Sequence, residues 1–199
     1  MIRRYGFGPH TLSVPRLQPA EGAVYEAGEY AVSDEELKRI VAIYRLALPY
    51  VGVVVSTREP AALRDELLMM GVSQISAGSK TNPGGYSEKH DTEQFKLTDN
   101  RSLDEIVEKI ASLGLLPSFC TACYREGRVG EVFRRIAESE SMNKFCRANA
   151  LLSLKEYIRD YAGDKEVIVE LLNRELSEIG DNILEKIEEI EHGESDIHI

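Results

Sequence analysis

The sequence predicts an α/β fold, in which parallel strands alternate with helices over residues 1–124, followed by an all-helical domain over residues 125–199. Two features lead to this prediction. Short β-branched runs alternate with amphipathic stretches as far as Tyr124, which is the pattern of a parallel sheet with helices outside it. After Tyr124 the sequence contains no run that is typical of a strand.

Capping and turn residues set the limits of the elements in the first domain. Pro15 and Pro19 stop the first strand-like run, Ser33 with three acidic residues after it is an N-cap signature, and Pro60 opens a helix. The run VGVVVSTRE is short, β-branched and uninterrupted, as expected of a buried parallel strand. The predicted order is a strand at 11–17, a helix at 33–48, a strand at 51–59, a helix at 60–70, a strand at 71–79, a helix at 102–113 and a strand at 115–124.

Long connections and a helical region complete the prediction. The polar loop at 80–101 is unusually long for a compact domain, which makes it a candidate for function. Helices are predicted at 128–140, 147–162 and 165–191, the last with a break near Gly180. The final stretch, EKIEEIEHGESDIHI, is acidic, and we expect it to fray.

Four βα units are half of an eight-stranded barrel. The chain enters its first strand with almost no lead-in, so two architectures fit the pattern. One is an open four-stranded α/β sheet. The other is the C-terminal half of a TIM barrel whose front half is missing.

Composition argues against several classes of function. The formal net charge is −10, whereas a nucleic-acid-binding surface normally shows as a basic patch and an anionic membrane attracts basic surfaces. No apolar run approaches the ~20 residues that cross a bilayer, and the start of the chain lacks the apolar segment of a signal peptide. Three cysteines in 199 residues do not indicate a disulfide framework. We therefore expect a cytoplasmic protein with no nucleic-acid or membrane partner.

The three cysteines form a C-x2-C-x22-C pattern of Cys120, Cys123 and Cys146. An iron–sulfur site fits them, and Arg125 and Arg128 can offset thiolate charge. A zinc site normally has four ligands, but a fourth cysteine does not exist. Unrelated thiols are a third alternative. A thioredoxin-like pair is disfavoured because the predicted strand leaves no helix N-terminus directly after Cys120.

Polar residues lie at the carboxyl ends of three successive predicted strands, where the chemistry of α/β folds is found: Pro15-Arg16, Ser56-Thr57-Arg58 and Ser76-Ala77-Gly78-Ser79. Arg58, Ser76 and Ser79 are the candidate site residues among them. Arg58 can bind a carboxylate with two hydrogen bonds. The alternative for Arg58 is a salt bridge with Glu59 or Glu66.

His10 precedes the first strand and belongs to the opposite, N-terminal mouth of a barrel. It is either a surface-loop histidine or a metal ligand. The remaining histidines, His90, His192 and His198, lie in a loop or in the tail, and the sequence assigns them no role.

Several segments together resemble the C-terminal part of the HydG family, the radical S-adenosylmethionine tyrosine lyases that mature FeFe-hydrogenase. The resemblance covers residues 5–162 and includes GPHTLSVPRLQPA, STRE, GVSQISAGSKTNPGGY, EQF, PSFCTACYREGRVG and FCRANALLSLKEYIRDYA. The related 2-iminoacetate synthases of thiamine biosynthesis share PRL, STRE, S-K-T-x-PGGY and EQF. They lack CTACYR, the later cysteine and the histidine of GPHT, so these residues favour the maturase family.

The resemblance implies a mechanism and a set of ligands. In this family a first 4Fe–4S cluster cleaves S-adenosylmethionine, and the radical splits tyrosine into p-cresol and dehydroglycine, the source of carbon monoxide and cyanide. An Fe(CO)2(CN) synthon is then built at an auxiliary 4Fe–4S cluster that carries an additional iron. By position, Cys120, Cys123 and Cys146 match the ligands of the auxiliary cluster, and His10 matches the ligand of the additional "dangler" iron.

The strand-end residues receive a role by inference from the resemblance. Arg58, Ser76 and Ser79 are expected at the mouth that binds tyrosine and S-adenosylmethionine. Other hydrogenase maturation proteins are the expected protein partners.

One departure from the family is large. The CxxxCxxC motif of the radical cluster is absent, as are the front four βα units. S-adenosylmethionine and the second 4Fe–4S cluster are therefore expected only in a full-length protein, and we expect this chain alone to be inactive. We expect it to be a fragment, with one half of a split enzyme or a non-catalytic iron–sulfur or zinc module as alternatives. The DNA upstream of Met1 distinguishes a fragment from a split or carrier protein.

Half a barrel leaves a sheet edge and an apolar inner face uncovered. We therefore expect the isolated 199-residue chain to form oligomers or aggregates, which static light scattering measures directly. A stable, monodisperse monomer would contradict the half-barrel interpretation.

Overall fold

The computed structural model describes residues 8–20, 30–82, 84–85, 94–137, 139, 141–162 and 165–199, together with residues 4, 22, 24 and 28. The chain divides into two compact units. We call residues 9–103 the sheet unit, and residues 104–199 with residues 1–8 the helical unit. The predicted domain boundary at 124/125 stays a prediction.

The sheet unit is built from three short parallel strands and two helices. Its elements are β1 (Thr11–Ser13), α1 (Asp34–Ala47), β2 (Gly52–Val55), α2 (Ala61–Met69) and β3 (Gln74–Ile75). The strand order is β1-β2-β3, with Leu12 opposite Val53 and Val55 opposite Ile75. The described part of the chain is therefore α/β with a small parallel sheet, as the sequence predicts.

The two faces of β2 differ. Val53 and Val55 are buried, whereas Gly52 and Val54 are only partly buried. Helix α1 packs against α2 and β2, and its inward residues Leu37 and Val41 are buried. The prediction of a fully buried strand is thus right for one face of β2 only.

Helix α1 begins at the predicted N-cap. The Ser33 hydroxyl accepts a hydrogen bond from the Glu36 amide at 3.3 Å, and the Glu36 carboxylate accepts one from the Ser33 amide at 2.8 Å. This reciprocal capping box satisfies two amides that a helix start leaves without partners. The predicted start of this helix is confirmed.

The predicted fourth strand is wrong. Residues 115–121 have no regular structure, and the helix Ala122–Arg125 follows them. Leu116 packs against the core of the helical unit, and Pro117 has no amide to offer a sheet. The predicted third strand also shrinks to Gln74–Ile75. Four βα units are therefore not found in the described residues.

The helical unit contains six α-helices and one π-helix among its described residues. They are α3 (Leu103–Ser112, from Asp104 onward), α4 (Ala122–Arg125), α5 (Gly130–Ala137), α6 (Ser141–Tyr157), the π-helix Ile158–Ala162, α7 (Glu166–Leu176) and α8 (Asp181–Glu191). Helix α6 contacts α5, α7, α8 and the π-helix. The predicted helices are confirmed to within a few residues, except that α6 begins about six residues early. The predicted break is also confirmed, with Gly180 as the N-cap of α8.

Residues 192–199, which we call the tail, have two apolar side chains that pack on the helical unit. Ile197 and Ile199 lie against an apolar cluster between α6 and α8. The cluster consists of Ala148, Leu152, Ile183, Ile187 and Ile190. The acidic composition of this stretch did not indicate this packing, and the expectation of fraying stays a prediction.

A network of ion pairs lies at the carboxyl ends of the strands. Arg64 and Asp99 are both almost completely buried and form an ion pair, and Arg64 also donates to the main-chain oxygen of Ser76. Arg101 donates to Asp99 at 2.7 Å and to Asp65 at 2.9 Å. Burial raises the pKa of Asp99, but the hydrogen bonds from Arg101 and the charge of Arg64 outweigh it, so the pKa lies below 3.8.

Replacing Asp99 with asparagine is expected to lower the free energy of unfolding by about 3–5 kcal/mol at pH 7, since it leaves a buried arginine without its counter-charge. Because the folded-state pKa of Asp99 is lowered, its contribution is complete above the unfolded pKa of about 4 and is lost as pH falls through the folded pKa. Urea unfolding by circular dichroism, repeated between pH 7 and pH 3, measures both effects.

The matched control is Asp65→Asn, which removes a partly exposed partner of Arg101. We expect it to cost about 1 kcal/mol or less. Equal losses for the two variants, or a loss for Asp99→Asn that does not shrink in acid, would show that the buried pair is not what stabilises this edge.

Candidate metal centre

The three cysteines lie in the helical unit on two separate elements. Cys120 directly precedes the short turn of α4 and is exposed, Cys123 lies within α4 and is half-buried, and Cys146 lies on α6 and is exposed. All three are free thiols. Two sulfurs from one turn and a third from a long helix are the arrangement that the spacing predicts.

The turn around Cys120 is a single helical turn. The Ala122 amide donates to the Cys120 sulfur at 3.4 Å, and the Arg128 amide donates to the Cys123 carbonyl at 2.7 Å. Gly127 has a φ of +64°, which closes the turn. The expectation that no helix follows Cys120 is therefore wrong, although α4 is only four residues long.

An aromatic stack attaches this turn to α6. The Phe119 ring lies on the Tyr157 ring with centroids 5.0 Å apart, and the Phe119 amide donates to the Ser153 hydroxyl at 3.3 Å. The Tyr157 hydroxyl donates to the Asp104 carboxylate. Burial, with the hydrogen bond to Asp104 and its charge, raises the pKa of Tyr157 well above 10, so this tyrosine stays protonated at any physiological pH.

The three thiols share one electrostatic environment. The Cys146 residue is exposed overall, yet partial desolvation of its thiol raises the pKa of that thiol, and the charges of Cys123 and then Cys120 raise it further. Within the described residues, no three His, Cys, Asp or Glu side chains are close enough to hold a single metal ion. The thiols therefore influence one another electrostatically, but they do not form a ready-made site for one ion.

The two arginines after Cys123 have partners other than the sulfurs. Arg125 forms an ion pair with Asp196. Arg128 lies over the Phe145 ring, 5.4 Å from its centroid, and donates to the main-chain oxygen of Ile199 at 3.2 Å. Their predicted role of offsetting thiolate charge stays a prediction.

The predicted mouth residues lie in the sheet unit. Arg58 follows β2, and its guanidinium lies over the Phe95 ring, 3.9 Å from the centroid. The two carboxylates that were considered as partners of Arg58 form ion pairs with other residues, Glu59 with Arg16 and Glu66 with Lys38. Ser76 and Ser79 follow β3 and are partly buried. Binding of tyrosine or S-adenosylmethionine by Arg58, Ser76 and Ser79 stays a prediction.

Sequence reasoning missed the role of Arg16. It donates to the completely buried Glu59 and to Asp34 at 2.7 Å, so it ties the end of β1 to the end of β2 and to the start of α1. Residues 15–18 and 30–32 line a cavity of about 390 Å³ beside it, a size that accommodates a small molecule. The available signal was that Arg16 and Glu59 each belong to a motif of the resemblance, PRL and STRE.

His10 is exposed and directly precedes β1. Its ring Nδ1 lies 3.2 Å from the Thr11 hydroxyl, and its main-chain oxygen accepts from the Gly52 amide at 3.1 Å. His10 belongs to the sheet unit and the cysteines to the helical unit. Its role as an iron ligand stays a prediction.

Comparison with known proteins places the chain in a family. Residues 13–116 match the Biotin and Thiamin Synthesis associated domain, and this is more than half of the chain. The chain belongs to this family. The matched region ends four residues before Cys120, so it does not include the three cysteines.

Two curated relatives are 2-iminoacetate synthases. That of Salmonella typhimurium is 32% identical over 118 residues, which are 59% of this chain and 31% of the relative. That of Escherichia coli is 31% identical over 116 residues, 58% of this chain and 30% of the relative. The chain thus spans about a third of the length of the curated relatives that it matches.

Two solved structures resemble the chain over almost all of its length. A crystal structure of HydG, a maturase of the FeFe-hydrogenase, has a TM-score of 0.92 and 40% identity, covering 100% of this chain and 45% of that one. HydG from Carboxydothermus hydrogenoformans has a TM-score of 0.71 and 43% identity, covering 95% of this chain and 41% of that one. The chain is therefore similar to part of HydG, as the resemblance predicts, and this similarity includes the cysteine segments. Among the described residues, no helix is both long and apolar enough to cross a bilayer.

Removing the two neighbouring thiols is expected to lower the pKa of Cys146. In Cys120→Ser/Cys123→Ser the pKa should fall because two negative charges are lost, but it should stay raised because the partial desolvation of the Cys146 thiol remains. The pH dependence of Cys146 alkylation by iodoacetamide, followed by mass spectrometry on metal-free protein, measures this shift. Ser112→Ala, on a helix away from the thiols, is the control, and an unchanged alkylation curve in the double variant would show that the thiols are not coupled.

Proposed function

We propose that the chain is the C-terminal portion of a radical S-adenosylmethionine tyrosine lyase of the HydG type, and that it carries the auxiliary iron–sulfur site. The observation that carries this proposal is the similarity to HydG over the full chain, including the segments with Cys120, Cys123 and Cys146 that the family model does not reach. The whole enzyme converts tyrosine to p-cresol, carbon monoxide and cyanide for FeFe-hydrogenase maturation.

The cysteines fit an iron–sulfur cluster better than a single metal ion. Thiolates are the usual ligands of iron–sulfur clusters, and in a four-iron cluster each thiolate binds a different iron. Thiols on two separate elements that influence one another's charge, without forming a site for one ion, are compatible with such a cluster. A structural zinc ion needs ligands that converge on one centre, and usually four of them.

The chain's own residues hold and orient the group. Cys120, Cys123 and Cys146 are the proposed ligands, and the stack of Phe119 on Tyr157 fixes the turn that carries the first two. When bound, the cluster supplies one iron without a cysteine ligand, where an additional iron and diatomic ligands can be accepted. We propose His10 as the protein ligand of that additional iron, with the Fe(CO)2(CN) synthon as the product.

The sheet unit supplies the other proposed binding surface. Arg58, Ser76 and Ser79 are proposed to line the mouth for tyrosine and S-adenosylmethionine. One face of β2 is only partly buried in this chain. This supports the proposal that the strand belongs to a barrel whose remaining strands are contributed by residues outside this sequence. Because the sequence has no CxxxCxxC motif, the radical cluster and the lyase step require that missing part.

Anaerobic reconstitution with ferrous iron and sulfide tests the proposal. We expect about four irons and four sulfides per chain, with broad visible absorption that is lost in each of Cys120→Ser, Cys123→Ser and Cys146→Ser. One zinc per chain and no iron would overturn the iron–sulfur site and favour a zinc module.

His10→Ala separates the two predicted metal sites. It removes no thiolate, so the visible absorption should persist, whereas binding of one additional ferrous iron should weaken by about tenfold or more, as expected for loss of a metal-site contact. Electron paramagnetic resonance with and without added iron distinguishes these outcomes. An unchanged affinity for the additional iron would exclude His10 as its ligand.

A further inference from the structure

The tail returns to the part of the helical unit that carries the thiols. After α8 the chain turns at Gly193 and Asp196, whose φ angles are +100° and +66°. Both lie in the left-handed region, which glycine adopts freely and aspartate tolerates better than most residues. The turn at Asp196 brings the last four residues against both α4 and α6.

The first set of contacts holds the segment that follows Cys123. Three residues within five positions after this cysteine have a partner in the tail, and one of these contacts, between Arg125 and Asp196, is an ion pair. The pairs are Arg125 with Asp196, the Glu126 carboxylate with the His198 ring Nε2 at 2.9 Å, and Arg128 with the main-chain oxygen of Ile199 at 3.2 Å.

The second set holds the helix of Cys146. Asn149 lies one helical turn beyond this cysteine and is 4% exposed. Its amide nitrogen donates to the Ile199 main-chain oxygen at 3.0 Å, and its amide oxygen accepts from the Ile199 nitrogen at 2.8 Å. Both polar groups of a buried side chain are therefore satisfied by one tail residue, which fixes that residue closely.

We propose that residues 196–199 act as a strap that positions the Cys120–Cys123 turn relative to Cys146. The proposal rests on the proposed function only in treating the thiols as cluster ligands. Helix α4 has four residues, and an isolated helical turn is unstable in water, so contacts from outside must hold it. The stack of Phe119 on Tyr157 holds its N-terminal side, and the strap holds its C-terminal side.

Hydrogen–deuterium exchange on the full 199-residue chain without metal tests the strap. Two variants weaken it at different points: Asn149→Leu removes both amide contacts to Ile199, and Asp196→Ala/His198→Ala removes two exposed side-chain contacts. The informative amides are those of Glu126 and Arg128, which donate to Ala122 and Cys123 within the turn. We expect their exchange to accelerate on the order of tenfold in Asn149→Leu and less in the double variant.

The control is Glu108→Ala/Lys165→Ala, which removes a 3.3 Å ion pair of the same unit that touches neither the tail nor the cysteines. In this control, the amides of residues 122–128 should exchange hydrogen for deuterium at the wild-type rate. The strap is overturned if these amides exchange at the wild-type rate in both variants, or if exchange rises equally throughout the helical unit. Should Asn149→Leu fail to fold, the double variant, whose residues are at the surface, decides alone.

A second measurement separates the strap from the proposed function. After anaerobic reconstitution, loss of iron to a chelator should be several-fold faster in the two tail variants than in the control. If the wild-type chain takes up no iron, the proposed function fails while the exchange result still decides the strap. If iron is bound and its loss is equal in all variants, the strap does not position the cluster ligands and the inference is overturned.

Discussion

Two buried carboxylates hold the sheet unit together. Strands of two to four residues form few main-chain hydrogen bonds, and a sheet this small is weak without other support. Glu59 receives Arg16 from the end of β1, and Asp99 receives Arg64, which also holds the oxygen of Ser76 after β3. A buried charge that loses its partner is costly, so each pair fixes the position of the segment that supplies it. The buried ion pairs therefore add a second set of contacts that fix the strand ends.

The helical unit follows a different principle. Its core is apolar and centred on α6, and several of its polar contacts lie next to the cysteine segments. Phe119, Ser153 and Tyr157 join the start of the cysteine turn to α6, while Asn149 and the tail join its end. The thiols are exposed or half-buried, whereas the side chains that hold their segments in place form stacking contacts and hydrogen bonds with other residues of the unit.

Local signals in the sequence were sufficient for most of the helices. The capping residues at Ser33 and the glycine at Gly180 set helix ends that the structure reproduces. The fourth strand failed because β-rich composition does not reveal whether a neighbouring strand is available, and Leu116 instead joins the helical core. The C-x2-C spacing identified the first two thiols. The charges of these two thiols affect the pKa of Cys146, which is consistent with a third member of the same group.

The contacts that sequence reasoning could not supply are those between distant residues. Arg16 and Glu59 are 43 positions apart, and Asn149 and Ile199 are 50 apart. Each of these residues has an ordinary surface role when considered alone, and only the fold brings the partners together. His198 illustrates the point, since its place in an acidic tail gave no indication of its hydrogen bond to Glu126, 72 positions away.

The π-helix after α6 has a consequence for the tail. Residues 158–162 are wound with a wider turn than the α-helix before them. Arg159 lies in this turn and donates to the main-chain oxygens of Ile190 and Glu194. A change of one residue in the length of this segment would rotate every side chain beyond it by about 100° around the axis. The contacts that hold the start of the tail therefore depend on the local winding of one short segment.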